Sequence, residues 1–281
     1  MIDLHCHLLP GIDDGSADMA QSIEMARVFA DQGVTHVACT PHILPGVYHN
    51  SGPDIIARVR DLQRHINEAG ITLTLLSGAD NHVVGDFVKG LKRGHLLPLG
   101  DSRYVLVEPP HHVAPQRLEE FFFSLMIEGY FPILTHPERL TWIEDRYDLM
   151  RTLVLRGVWM QLTAGSIYGA FGRRPRYWAE RMLDEGLVHI IATDAHNLTS
   201  RRPDLARGHE AAAARIGQTE ADHMVVTRPS CVLSLYKPSD VPAAQGALGT
   251  VERSGGTDEP SESLGHTGDS GLLGRLRRVF D

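Results

Sequence analysis

Seven short segments of the chain are dominated by Val, Ile, Leu and Thr: residues 2–6 (IDLHC), 34–39 (VTHVAC), 71–77 (ITLTLLS), 104–108 (YVLVE), 131–135 (FPILT), 158–163 (VWMQLT) and 188–193 (VHIIAT). Several are near-continuous apolar runs, the pattern of parallel strands buried on both faces rather than of a half-solvated sheet. Between them apolar residues recur at helical spacing. Ile55, Val59, Leu62 and Ile66 follow Pro53, which suits a helix start, and Met19, Ile23, Ala26 and Ala30 repeat the pattern. Leu118, Phe121, Phe122 and Leu125 form a third stripe, stopped by Gly129. Residues 145–157, 175–186 and 203–215 are further predicted helices. Strand and helix alternating in this way predict an α/β fold with parallel strands. A single (β/α) barrel is the first expectation at this length, and an open doubly wound sheet the second.

The pattern fades near residue 238. Residues 239–270 are rich in Gly, Ser, Pro, Ala, Asp and Glu and offer little to bury, so they are expected to form a disordered linker after a folded unit spanning 1–238. The end of the chain, 271–281, places Leu272, Leu276, Val279 and Phe280 on one helical face with Arg275, Arg277 and Arg278 elsewhere. Eleven residues make a marginal helix alone. They read either as a frayed tail or as a weak contact for a partner or a membrane surface.

Composition narrows the function classes. The 281 residues are 42% hydrophobic and 22% charged, a globular profile, with 27 Lys+Arg against 35 Asp+Glu for a formal charge of −8. Such a chain is a poor non-specific ligand for nucleic acid or anionic membrane. No run reaches the roughly 18 apolar residues of a transmembrane helix. The opening MIDLHCHLLPGIDDG has neither a basic n-region nor a long apolar segment, so no secretory signal is expected. Cys6, Cys39 and Cys231 are too few and too scattered for a disulfide framework, which makes the cytoplasm the expected compartment.

The chemistry lies at the strand ends. His5 and His7 sit two apart at the end of the first strand, where alternation puts both on one face and Cys6 on the other. Asp194 and His196 repeat the spacing after the last strand; His42, Asp80, Glu108 and His136 follow or end the strands between. In a parallel α/β fold all of these lie at the carboxyl ends of strands, the face where barrel active sites form. One histidine there is ordinarily a hydrogen-bonded surface or core residue. Five imidazoles and three carboxylates on one rim are different: repulsion and desolvation would cost on the order of several kcal/mol unless cations offset them. Asp14, in GIDDG, is a ninth candidate, with Asp13 competing for the role. A hydrolytic ion takes about three protein ligands, so nine imply two or three divalent ions, a pair of them bridged by a carboxylate. Nitrogen and oxygen donors without thiolate suit Mn, Zn or Fe(II).

Other chemistries fail on inspection. A cysteine-phosphatase loop needs an Arg where this chain has Ile12, Pro45 or Lys237 after its three cysteines. The Gly85–Gly90 spacing fits a P-loop, but Leu91 replaces the Lys. No G-x-S-x-G elbow is present. Water activated by metal is therefore the expected nucleophile. Arg139, in THPER, and Arg201 and Arg202, in TDAHNLTSRR, fall beside the proposed ligands. Guanidinium is the preferred fork for phosphate oxygens, so metals and arginines together point to a phosphoester substrate. Arg139, Arg201 and His136 are the candidate catalytic residues; Arg202 competes with Arg201.

MIDLHCHLLPGIDDG, TPH, LVEPP, THPER and TDAHN, in this order, resemble the polymerase and histidinol phosphatase (PHP) family over residues 1 to about 235. Within it the likeness is to bacterial manganese-dependent tyrosine phosphatases that act on capsule and exopolysaccharide tyrosine kinases. The resemblance implies a distorted (β/α)7 barrel with a trinuclear site, probed by three ligand sets: His5, His7, Asp80 and Asp194; Asp80, Glu108 and His136; Asp14, His42 and His196. Arg139 and Arg201 would hold phosphate. The chain departs from the family pattern at Asp80, where the family has Glu; the shorter side chain puts the bridging role in question. The implied partner is a phosphotyrosine protein, a tyrosine kinase. A small-molecule phosphatase, acting for example on histidinol phosphate, and a non-catalytic scaffold are the competing expectations.

Overall fold

A computed structural model describes residues 1–245. The strands are β1 (Ile2–Cys6), β2 (His36–Cys39), β3 (His42–Ile43), β4 (Thr74–Ser77), β5 (Asp80–His82), β6 (Tyr104–Glu108), β7 (Phe131–Thr135), β8 (Trp159–Thr163) and β9 (Ile190–Ala192). The helices are α1 (Met19–Asp31), α2 (Gly52–Glu68), α3 (Phe87–Lys92), α4 (Leu118–Ile127), α5 (Tyr147–Leu155), α6 (Ala164–Ile167), α7 (Arg173–Asp184), α8 (Leu205–Ile216), α9 (Gln218–Asp222) and α10 (Arg228–Leu233). A π-helical turn, His223–Thr227, separates the last two.

All strand pairings are parallel. One sheet has the order β1-β2-β4, and a curled six-stranded sheet runs β3-β5-β6-β7-β8-β9. The strands in the expected runs at 34–39 and 71–77 start late, at His36 and Thr74, and end where expected, and a new short strand then begins after Thr40–Pro41 and after Gly78–Ala79. A parallel bridge between Cys6 and Ala195 ties the end of β1 to the turn after β9.

Local chemistry sets the helices. Asp18 caps α1 by accepting from Gln21 N at 2.8 Å. Pro53 stands in the first turn of α2, where its missing N–H is not needed. Ile55, Val59, Leu62 and Ile66 are the buried face of α2, as their spacing predicts. β1, β6 and β8 are buried along their whole length, as parallel strands covered on both faces must be. One apolar layer joins the helices to the sheet. A smaller one gathers Leu4, Leu106, Ile133, Trp159 and Ile190 and is closed by Val232 and Val241.

The packed chain runs further than its composition suggests. Val241 is 7% exposed and Ala244 fully buried. The buried Arg228 side chain donates to the carbonyls of Pro242 and Ala243, both at 2.8 Å. Residues just past the boundary expected at 238 thus contact the rest of the chain through two carbonyls and two small apolar side chains. The rest of the expected linker, 246–270, and the tail, 271–281, lie outside the described residues.

Candidate metal centre

Two rings define the centre of the site. Cys6 turns into the apolar layer, while Nε2 of His5 and Nε2 of His7 stand 3.3 Å apart. Gln161 Oε1 lies 2.7 Å from His5 Nδ1, and Asp13 Oδ2 lies 2.7 Å from His7 Nδ1. Both rings are thus anchored through Nδ1 and aim Nε2 into one space, the arrangement that orients metal-binding imidazoles. Asp194 Oδ1 is 3.4 Å from His5 Nε2 and 3.3 Å from His7 Nε2; Asp80 Oδ2 is 3.5 Å from His5 Nε2. Donors about 2.1 Å from a shared tetrahedral ion stand about 3.4 Å from one another, so these separations fit one ion.

Asp80 Oδ2 is also 3.5 Å from His42 Nδ1 and 3.9 Å from His136 Nε2. The shorter Asp therefore still occupies the middle of the cluster. Glu108 Oε1 is 3.6 Å from His136 Nε2. Asp14 Oδ1 is 3.5 Å from His42 Nε2 and 3.4 Å from His196 Nε2. The nine expected ligands thus form one continuous cluster, and Asp13 and Asp14 have separate places in it: Asp14 faces the histidines, and Asp13 braces His7. Gly15 lets that loop lie against His7, just past β1, because a Cβ there would stand 2.3 Å from His7 O. His136 (φ 34°) and Asp194 (φ 50°) take left-handed backbone conformations at the ends of β7 and β9. Few residues other than glycine do so, and such strain concentrates at functional sites.

The carboxylates, imidazoles and arginines of the cluster shift one another's protonation. Burial disfavours a charged His5, but the Asp80 and Asp194 carboxylates prevail and push its pKa up to about 9. Burial likewise opposes charge on His42, but Glu108 and Asp80 raise it to about 9. Burial and the Arg139 guanidinium lower His136 to about 4; burial and His7 lower His196 to about 4. Asp194 is held well below the carboxylate range, since Arg201, His5 and Arg139 outweigh its burial. Both oxygens of Asp80, Oδ1 of Asp194 and Nε2 of His196 are buried with no hydrogen-bond partner. Buried polar atoms are ordinarily paired, and orphans gathered at one point call for a missing ligand. The donor set fits divalent cations.

The arginines stand at the edge of this cluster. Arg139 Nη1 and Arg201 Nη2 both donate to Asp194 Oδ2, the second at 2.5 Å. Arg139 also lies over the Phe171 ring, 4.9 Å from its centroid. Arg202 turns away, donating to Leu198 O and pairing with Asp204. Of the two, Arg201 is the one beside the cluster. Three participants, Gln161, His111 and His82, are not among the expected residues, and Asp13 is expected only as an alternative to Asp14. Gln161 and Asp13 orient rings, and His111 Nε2 and His82 Nε2 lie 2.9 and 2.6 Å from the Glu108 oxygens. The DNH sequence of β5 placed His82 two residues after Asp80, the same spacing as His5 and His7, and was the one available signal for it.

Residues 1–234 match the family described as capsular polysaccharide synthesis, CpsB/CapC. Tyrosine-protein phosphatase YwqE of Bacillus subtilis (strain 168) is 37% identical over 201 residues, 72% of this chain and 79% of that protein. Tyrosine-protein phosphatase CpsB of Streptococcus pneumoniae is 26% identical over 242 residues, 83% of this chain and 98% of that protein. A crystal structure described with YwqE from Bacillus subtilis and CpsB from Streptococcus pneumoniae, as metal-dependent tyrosine phosphatases, aligns with a TM-score of 0.81. It is 33% identical and covers 84% of this chain and 96% of that one.

Proposed function

This chain belongs to the CpsB/CapC family of capsular polysaccharide synthesis, and on that premise we propose that it is a metal-dependent protein-tyrosine phosphatase acting on a tyrosine kinase of capsule or exopolysaccharide synthesis. The observation that carries the reading is one cluster of nine nitrogen and oxygen donors, flanked by Arg139 and Arg201. His5, His7, Asp80 and Asp194 would hold one ion; Asp80, Glu108 and His136 a second; Asp14, His42 and His196 a third. Manganese is the first choice among the metals this donor set suits, with zinc and iron next. When bound, such ions supply Lewis-acid neutralisation of phosphoryl charge and make water a nucleophile at neutral pH.

The protein's own groups do the rest. Arg139 and Arg201 both donate to Asp194 Oδ2, which holds the two guanidinium groups beside the ligands, and their remaining N–H groups would grip the phosphoryl oxygens and stabilise the charge that develops on them. Phe171 fixes the plane of the Arg139 fork. Gln161 and Asp13 keep the Nδ1 atoms of His5 and His7 occupied, leaving Nε2 free as a donor to metal. The tyrosyl leaving group, with a pKa near ~10, departs with little acid assistance.

The shape favours a protein substrate. The cluster opens to solvent along Asp14, His42, His82 and His111. A groove of about 480 Å³ runs beside His42, lined by Ile43, Tyr48, Asn50, Lys89, Arg93 and Leu96, with room for residues flanking the phosphotyrosine. Among the described residues no helix is long and apolar enough to cross a membrane. We place the enzyme in the cytoplasm, where its three free cysteines would stay reduced. The architecture reads as one (β/α)7 barrel: β2 with β3 and β4 with β5 are single interrupted strands, and the Cys6–Ala195 bridge closes the ring. The barrel, 1–238 together with the packed residues through Ala244, is the unit that carries activity.

The test is an assay of manganese-loaded protein on a phosphotyrosine peptide, a phosphoserine peptide and histidinol phosphate. The phosphotyrosine peptide should be turned over fastest. Equal or better turnover of histidinol phosphate would replace the proposal with a small-molecule phosphatase.

A further inference from the structure

Glu108 divides its two oxygens between different neighbours. Oε1 accepts from His111 Nε2 at 2.9 Å and faces His136. Oε2 lies 3.2 Å from His42 Nδ1 and 2.6 Å from His82 Nε2, and His82 Nε2 is 3.1 Å from His42 Nδ1. Glu108 is only 4% exposed, so these two imidazole nitrogens rather than solvent surround Oε2. Three donors, two imidazole nitrogens and a buried carboxylate oxygen, therefore converge on one point. His82 belongs to none of the three ligand sets named above.

We propose that His82 Nε2, His42 Nδ1 and Glu108 Oε2 form a further site for a divalent cation of the zinc or manganese class. The site rests on the metal-dependent reading of this cluster. Two imidazoles and one carboxylate are a donor set that holds hydrolytic zinc with a position left open. The open position faces outward, because His82 is 15% exposed at the side chain and stands at the solvent edge of the cluster. His42 links this site to the one already described. Its Nδ1 faces His82 and Glu108, and its Nε2 faces Asp14 Oδ1 at 3.5 Å. A neutral imidazole has one lone pair, so the two positions are alternative placements for the ion that His42 holds. His82 gives that ion its second place, next to the groove beside His42.

Calorimetric titration of chelator-stripped full-length protein with Zn2+ tests this. Asp14→Ala should keep the binding step that involves His42, because the ion moves to the His82 side. The Asp14→Ala/His82→Ala pair should lose that step or weaken it at least about tenfold, and circular dichroism should show both variants folded. In Asp14→Ala protein labelled at the imidazole nitrogens, the His82 Nε2 resonance should shift on adding Zn2+. If the single and double variants titrate alike, or the His82 resonance stays still, His82 merely orients Glu108 and the proposal is overturned while the metal-dependent reading stands. If the wild-type protein binds no Zn2+ or Mn2+, both fall.

Discussion

Asp13 Oδ2 lies 2.7 Å from Nδ1 of His7, and this contact fixes which nitrogen of His7 points into the cluster. The same carboxylate accepts from the backbone N–H groups of Gly15 at 2.9 Å and His42 at 3.0 Å. Asp13 thus braces one ligand and the loop that carries another without facing an ion itself. Asp13→Ala should weaken the binding of Mn2+ by about 10–100-fold, the usual effect of removing such a partner. Titration of the stripped protein with Mn2+ measures it; an unchanged affinity would show that the His7 ring is held by packing alone.

Arg139 and Arg201 meet at one carboxylate oxygen, whereas Arg202 is engaged elsewhere. Arg139→Ala and Arg201→Ala should each lower kcat/KM for an aryl phosphate by about 10²–10³, the scale of removing one transition-state donor. Arg202→Ala should leave it near the wild-type value. Steady-state kinetics with p-nitrophenyl phosphate separates the three, and a large loss in Arg202→Ala would move the phosphate site.

What the sequence displays of this site is its rim. His5, His7, His42, Asp80, Glu108, His136, Asp194 and His196 each stand at or just past an apolar run, and parallel strands deliver such positions to one face. Gln161 is invisible to that logic because it lies within β8 and reaches His5 across the sheet. His111 reaches Glu108 only because the turn after β6 folds back. The breaks after Cys39 and Ser77 are equally hidden: apolar runs report burial, and Thr40, Pro41, Gly78 and Ala79 are themselves buried. The contacts of Pro242 and Ala243 with Arg228 are hidden for the converse reason, since they are made through backbone carbonyls, which no side-chain pattern records.

His189 is a buried neutral imidazole away from the cluster. Its Nδ1 accepts from Met160 N at 3.1 Å, and its ring stacks on Trp159 at 5.2 Å. Burial first, and the neighbouring Arg228 guanidinium second, push its pKa down to about 3. In the unfolded chain the value returns to about 6.5. Between these two values the unfolded state binds the extra proton, so stability is lost as pH falls below about 6.5, by up to about 1.4 kcal/mol per pH unit. His189→Gln keeps an acceptor for Met160 and removes the titration. Urea unfolding at pH 7, 5.5 and 4.5 should show a smaller acid loss in the variant than in the wild type; parallel losses would assign the acid sensitivity to other groups.

Arg228 is fully buried, and its guanidinium ties four parts of the chain together. It donates to Glu220 Oε1 at 2.7 Å, to His189 O at 3.2 Å, and to the carbonyls of Pro242 and Ala243. Burial lowers its pKa, and the Glu220 carboxylate beside it works to restore the charge. A buried cation stripped of acceptors is costly, so the residues after 238 do more than cover surface. Two truncated chains, ending at 238 and at 245, differ only in the segment that supplies two of these acceptors and the buried side chains of Val241 and Ala244. The shorter chain should be less stable by about 2–4 kcal/mol, from lost charged hydrogen bonds and lost apolar burial. Replacing Arg228 by Ala in the longer chain should cost about 3–5 kcal/mol, because buried Glu220 then loses its cationic partner on Oε1 and keeps only His223 Nδ1, 3.3 Å from Oε2. Urea midpoints read both effects. Equal midpoints for the two truncations would mean that water takes the place of the two carbonyls and that the folded unit ends at 238 after all.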